Sequence, residues 1–345
     1  RMLNLSSNDY LGLASRQDLQ EEFNTTQDRF YPYSSSSSRL LTGNFSVYTK
    51  LEKQIARSFD REAALIFNSG YHANTGILPA LTDKQTLLLA DKLVHASIID
   101  GILLSGSPFL RYRHNDYDQL ERLVQKNACQ YETIIILTES IFSMDGDVAD
   151  LNRLIAIKRQ YPNILLYVDE AHAIGARGKT GLGIAEEQGC IQEIDLLVGT
   201  FGKALASRGL FGLFPYDTGI SGQYDATAHI QYGPATVPNR MDFLHLGATP
   251  LVHEGTGESS SDSRLLAEAL TSKGGEISQS HIIPFIVGES EDCVRKAEEL
   301  QRKGFYCLPV RPPTVPKGTS RIRFSLTANL TIKNMHQLIV ETGRT

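Results

Sequence analysis

The chain has 345 residues, 41% hydrophobic and 21% charged, enough to bury a substantial core and to divide into two domains. Its formal net charge of −5 argues against nucleic acid or an anionic membrane as a partner, and no apolar run is long enough to cross a bilayer. Four scattered cysteines, Cys129, Cys190, Cys293 and Cys307, form no CxxC pair, which points to buried free thiols in a reducing, cytoplasmic compartment rather than a disulfide frame or a zinc site.

In chain order, Arg1-Met2-Leu3-Asn4-Leu5 lacks a basic-then-apolar leader and reads as entry into structure already under way, with residues expected upstream. Val47, Leu51, Ile55 and Phe59 recur every four residues and predict one apolar helix face. Ala63–Phe67 is a short apolar run stopped by Asn68-Ser69-Gly70, a strand ending in a tight turn. Further strands are expected at Thr86–Ala90, Thr133–Thr138, Ile164–Val168 and Ile194–Val198, with helical stretches such as Leu151–Arg159 between them. These strands are rich in Ile, Leu and Val without alternation, as strands buried on both faces should be. The alternation of strand and helix predicts an α/β fold with a mainly parallel sheet. Strands at Ile282–Val287 and Ile322–Leu326, with helices at Cys293–Lys303 and Lys333–Thr342, predict a smaller α+β domain at the C-terminal end. The expected division is residues 1–45 as the N-terminal segment of a truncated small domain, 46–262 as the large domain, and 263–345 as the C-terminal small domain.

Ligands of an open α/β sheet sit outside the carboxyl ends of its strands. The strand ending at Val168 runs into Asp169-Glu170-Ala171-His172, and the one ending at Val198 into Gly199-Thr200-Phe201-Gly202-Lys203. An acid, an imidazole, a hydroxyl and an amine thus reach one edge. Pyridoxal-phosphate chemistry needs this set: a lysine for the Schiff base and a carboxylate to keep the pyridine nitrogen protonated. Amides and hydroxyls at a helix N-terminus would hold the phosphate, and Ser69-Gly70-Tyr71 is the candidate anion site. Each feature has a bland counterpart, since a lysine after a strand is usually a solvated charge and an Asp at a strand end a helix cap. Asp169–His172 also spells the DEAH box of helicases. The GKT at Gly178-Lys179-Thr180, however, follows the box and has Ala173 where the phosphate loop requires glycine. No GxGxxG follows an early strand, which removes the dinucleotide reading.

Five motifs then carry a family resemblance: Ser6-Ser7-Asn8-Asp9-Tyr10-Leu11-Gly12-Leu13, Phe67–Tyr71, His95–Gly101, Ser143-Met144-Asp145-Gly146-Asp147 and Gly199–Lys203. In order and spacing the chain resembles the α-oxoamine synthases, fold-type-I pyridoxal-phosphate enzymes. The resemblance implies a large domain on a seven-stranded, mainly parallel sheet, a smaller C-terminal α+β domain, and a homodimer. Arg311–Pro316 followed by Thr319–Arg323 most resembles the member of biotin biosynthesis, which condenses L-alanine with a pimeloyl thioester and releases carbon dioxide and the carrier thiol. A sister activity, using glycine and a short acyl-CoA, is the alternative. The resemblance makes Lys203 the Schiff-base lysine and proton shuttle, Asp169 the partner of the pyridinium, and His172 a contact of the ring hydroxyl. His95 would stack on the ring and face the substrate. Gly70, Tyr71, Ser143 and Thr200 would complete the cofactor site, Arg323 would grip the amino-acid carboxylate, and Thr314 would lie near the substrate. No metal is implied, and His114, His281 and His336 receive no role.

Residues 210–262 break the pattern. They are rich in Gly, Pro, Ser and Thr, hold no period, and the family match stops after Gly209 and resumes near residue 264. A pair of compensating reading-frame shifts accounts for this. Read one nucleotide later, codons for Leu210 onward can spell Ala-Tyr-Leu-Val-Cys, and Met241-Asp242 must spell tryptophan, which the chain lacks. A single open frame in the DNA encoding the segment as written would refute the shifts and leave a diverged or inserted loop; translated as written, the segment would cost a buried strand, and an inactive product is the alternative to a working enzyme.

Overall fold

A strand with apolar side chains on both faces is stable only between two covering layers, and the centre of the chain supplies such strands in series. The structure, a computed structural model, describes residues 2–25, 34–207, 209–214, 266–270 and 277–343. After a two-residue β1 (Leu3–Asn4) come β2 (Ala63–Phe67), β3 (Thr86–Asp91), β4 (Phe109–Tyr112), β5 (Thr133–Glu139), β6 (Ile164–Asp169), β7 (Leu196–Thr200) and β8 (Leu210–Phe214). The last seven form one sheet in the order β2-β8-β7-β6-β5-β3-β4. β8 runs antiparallel to both neighbours, and the remaining pairs are parallel.

Successive strand residues serve opposite layers. On β5, Ile134 and Ile136 pack with Leu51 and Ile55 of α2 (Ser46–Ser58), Leu120 and Val124 of α5 (Tyr117–Asn127), and Leu151 and Leu154 of α6 (Leu151–Lys158). Ile135 and Leu137 pack instead with Ile77 and Leu78 of α3 (Gly70–Leu81) and with Ile98 and Ile102 of α4 (Ala96–Ser105). The four-residue repeat Val47, Leu51, Ile55 and Phe59 is buried throughout. α3 and α4 cross closely because Gly101 has no side chain; a Cβ there would stand 2.3 Å from the Asn74 carbonyl oxygen.

A second core lies at the other end of the chain. β9 (Ile282–Gly288), β11 (Pro309–Val310) and β12 (Ser320–Ser325) make an antiparallel sheet in the order β11-β12-β9. Ile283, Phe285, Ile322 and Phe324 pack there with Ala297 and Leu300 of α8 (Ser290–Arg302) and Leu338 of α9 (Ile332–Thr342). α9 is bounded by a capping box of Thr331 and Asn334 and by Gly343 in the left-handed region. Leu5 joins the same core, and β1 pairs in parallel with β10 (Phe305–Tyr306), so the first residues pack with the last.

Three expectations need correction. Residues 210–214 do not break the fold: Leu210-Phe211-Gly212-Leu213-Phe214 is β8, buried along its length between β2 and β7. Its apolar run is what a doubly covered strand requires, and the Gly- and Pro-rich residues after it hid the signal. The remainder of the segment expected to be frame-shifted, 215–262, lies outside the described residues. The strand expected at Ile194–Val198 sits two residues later, because Ile194 closes the preceding turn and Thr200 is still paired with Leu210. All four cysteines are free, but Cys129 is exposed, not buried.

Candidate functional site

The carboxyl ends of β5, β6 and β7 bring Glu139, Asp169 and Thr200 to one edge of the sheet, and Lys203 follows three residues beyond β7. Asp169 is 6% exposed and accepts hydrogen bonds from the Ala171 N–H at 2.9 Å and from Asn74 Nδ2 at 3.2 Å. Two donors thus fix the carboxylate in place. Burial lowers the pKa of the Lys203 amine from its ordinary value; the negative charges of Asp169 and Glu139 oppose this and the Arg323 charge adds to it. The result is an amine closer to its neutral, nucleophilic form.

His172 is also buried, and its Nδ1 lies 2.6 Å from the Tyr10 hydroxyl. Burial, reinforced by the positive charges of Lys203 and Arg323, keeps this imidazole neutral well below its usual pKa. Burial likewise pushes Tyr10 up to about 12, with Arg323 opposing, so the phenol keeps its proton. The Arg323 guanidinium joins both ends of the chain: it donates to the Ser143 carbonyl, to Ser325 Oγ at 2.6 Å, and to Asn8 Oδ1 and the Tyr10 hydroxyl at 3.3 Å each.

His95 caps α4 and is exposed on one side. Its Nδ1 accepts from the Ser97 N–H at 3.2 Å and meets Ser97 Oγ at 2.7 Å, which leaves the ring proton on Nε2. Ser97 Oγ accepts from Asn74 Nδ2 at 2.9 Å, and the same amide nitrogen reaches Asp169. The Tyr167 hydroxyl donates to Asn74 Oδ1. A continuous chain therefore runs His95–Ser97–Asn74–Asp169.

Of the remaining sequence candidates, Gly70 opens α3 behind the Ser69 cap, and a Cβ on it would approach Leu210 of β8 to 3.2 Å. Thr200 is buried; its Oγ accepts from the Gly202 N–H at 3.0 Å and donates to the Gly209 carbonyl at 3.1 Å. Tyr71 is 51% exposed and donates to Asp100 Oδ2 at 2.9 Å. Ser143 enters through its carbonyl, bound by Arg323. Thr314 is exposed and its N–H bonds to the Arg311 carbonyl, with no bond among the described residues to the Lys203 cluster. Sequence reasoning passed over Tyr10, Asn74, Ser97 and Glu139. Only Asn74 carried a signal, one helical turn after Gly70 on the same face of α3.

The donor set fits pyridoxal phosphate on chemical grounds. A buried amine of lowered pKa stands with a doubly hydrogen-bonded carboxylate, a neutral imidazole and the N-terminus of a twelve-residue helix. Among the described residues no group of His, Cys, Asp and Glu could hold a metal, and no helix is long and apolar enough to cross a membrane.

The sequence pattern of the family described as aminotransferase class I and II matches residues 1–213 and 256–341, so the match continues through most of β8 rather than ending at Gly209. Relatives from Glaesserella parasuis and Neisseria meningitidis, both named "Putative 8-amino-7-oxononanoate synthase", are 52% and 51% identical over 98% of this chain and 90% of their own lengths. Among solved structures, serine palmitoyltransferase of Sphingomonas wittichii superposes with a TM-score of 0.90 at 26% identity, covering 99% of this chain and 86% of its own. The 8-amino-7-oxononanoate synthase of Francisella tularensis gives 0.81 at 25% identity, covering 99% and 96%.

Proposed function

We propose, for a chain that belongs to the aminotransferase class I and II family and is a pyridoxal-phosphate-dependent acyltransferase of the α-oxoamine synthase type, that it makes 8-amino-7-oxononanoate. The substrates are L-alanine and a pimeloyl thioester of coenzyme A or acyl carrier protein; the other products are carbon dioxide and the free thiol. The reaction belongs to biotin biosynthesis, and the protein acts as a cytoplasmic homodimer. The observation that carries this reading is 52% identity over 98% of the chain to a relative of that name, against 26% to the serine palmitoyltransferase.

When bound, pyridoxal phosphate supplies an aldehyde for an amine to join and a ring that takes up the electron pair released at the α-carbon. Lys203 would provide the amine that holds it and would move the proton at the alanine α-carbon. Asp169 holds a proton at the ring nitrogen, fixed in place by Asn74 and the Ala171 N–H. His172 donates toward the ring hydroxyl, while His95 covers the ring and excludes water. Gly70 and Tyr71 at the N-terminus of α3, with Ser143 and Thr200, hold the phosphate and ring edge. Arg323 binds the alanine carboxylate, a role that suits its planar fork, and Thr314 orients the acyl substrate. The same reading assigns residues 46–262 to the cofactor domain and 1–45 with 263–345 to the smaller one; the pairing of β1 with β10 supports it.

The test is the visible spectrum of the purified protein with pyridoxal phosphate. A band absent from Lys203→Ala, shifted by L-alanine in preference to glycine, is the expected result. Preference for glycine would move the assignment to the sister activity, and no band in soluble, folded protein would refute it.

A further inference from the structure

Glu139 ends β5 and is the register partner of Asp169 at the end of β6, so the two backbones stand about 5 Å apart there. Strand alternation sends both side chains to the face covered by α3 and α4, and both are buried, Glu139 at 3% exposure. The two carboxyls are not equally provided for. Asp169 accepts from the Ala171 N–H and from Asn74. The Glu139 side chain lies toward the His95 backbone N–H, while its Oε1 has no hydrogen-bond partner among the described residues.

The charges around Glu139 come from every strand and loop beside it. Asp169 on β6 is an anion at the same level, and Asp91 at the end of β3 is a second, weaker influence. The Lys203 amine is the nearby cation, and Asp169 draws on it as well. One shared cation cannot support two ionised carboxylates out of contact with water, and the member with fewer donors is the one that keeps its proton.

We propose that Glu139 is a positioning residue that stands as a neutral carboxylic acid beside the doubly hydrogen-bonded Asp169, facing the His95 backbone N–H and leaving Lys203 to Asp169. The protonation state stands on this geometry alone; its consequence for the cofactor rests on the function proposed above. Burial, and after it the Asp169 charge, raise the pKa of Glu139 well above the carboxylate range, in agreement with the geometry. An ionised Glu139 would compete for Lys203 and for the proton of the ring nitrogen. The neutral acid fills the same space without that competition.

Infrared spectroscopy of the apoprotein reads the proton directly, because the carbonyl stretch of a protonated carboxyl is separated from that of a carboxylate. Glu170 is another fully buried carboxyl near this edge, and burial pushes it up to about 7. Spectra at pH 9 therefore remove its contribution. A protonated-carboxyl band at pH 9 that disappears in Glu139→Gln is the expected result, and its absence from the wild type would overturn the proposal whether or not pyridoxal phosphate binds. In the holoenzyme, Glu139→Gln keeps both the neutral charge and an acceptor for His95, so cofactor affinity should stay within about threefold of wild type. Glu139→Leu, which removes the polar group facing the His95 N–H, should weaken it about tenfold or more. A Gln variant that loses as much affinity as Leu would show that the charge is needed, and the idea would fail.

Discussion

His114 offers the sharpest quantitative test of how the site is braced. It lies between Asp91, at the end of β3, and Asp147, in the turn after β5, with ring nitrogens 2.9 and 2.6 Å from the two carboxylates. The first segment leads into His95 and the second contains Ser143, so this bridge ties two parts of the candidate site. Burial by itself would lower the pKa of His114, but the hydrogen bonds to Asp147 and Asp91 and their charges outweigh it and raise the group from 6.5 to about 10. In the unfolded chain the histidine releases its proton near 6.5, whereas the folded protein keeps it until about 10. The stabilisation is therefore complete below pH 6.5 and is lost as pH rises through the folded value. The gap corresponds to ~5 kcal/mol. Because the side chain is 26% exposed, solvent screening reduces this to ~3–4 kcal/mol. Urea unfolding of wild type and His114→Gln, each at pH 6.5, 8 and 10, measures it. The variant should be the less stable at pH 6.5, and the difference should shrink by ~3–4 kcal/mol by pH 10. Stability curves that run parallel from pH 6.5 to 10 would refute the reasoning.

Other perturbations address the chemistry and the packing beneath it. Asp169→Asn removes the charge that opposes the lowering of the Lys203 pKa and that, in the proposed function, would hold a proton on the ring nitrogen; steady-state turnover should fall at least ~100-fold with folding retained by circular dichroism. Arg323→Lys cannot reproduce four bonds to Ser143, Ser325, Asn8 and Tyr10. The KM for the amino acid should rise ~10-fold or more with a smaller change in kcat. Gly101→Ala forces a methyl against the Asn74 carbonyl. It should cost about 1–3 kcal/mol in a denaturant melt and weaken cofactor binding by displacing Asn74 from Asp169.

Much of the fold was legible because buried parallel strands leave a local mark. The run Thr133–Glu139 is apolar without alternation, and the repeat from Val47 to Phe59 is helical, and each reads without knowledge of its neighbours. Local chemistry also singled out Lys203 and Asp169, since Asp169 ends one strand and Lys203 lies three residues beyond the next. β8 was missed because five apolar residues ahead of a Gly- and Pro-rich stretch carry no sign of the two strands that will flank them. The partners of the site were missed for the same reason. Asn74 comes to Asp169 because α3 crosses the sheet where β6 ends, across 95 positions of sequence, and Tyr10 comes to His172 across 162. Residue types and their spacing along the chain thus determined which strands and which reactive groups exist. Which groups share a face, which are buried, and hence which of Asp169 and Glu139 keeps its charge, followed from strand register and helix packing. Those are long-range contacts whose energies depend on neighbours that no local pattern encodes.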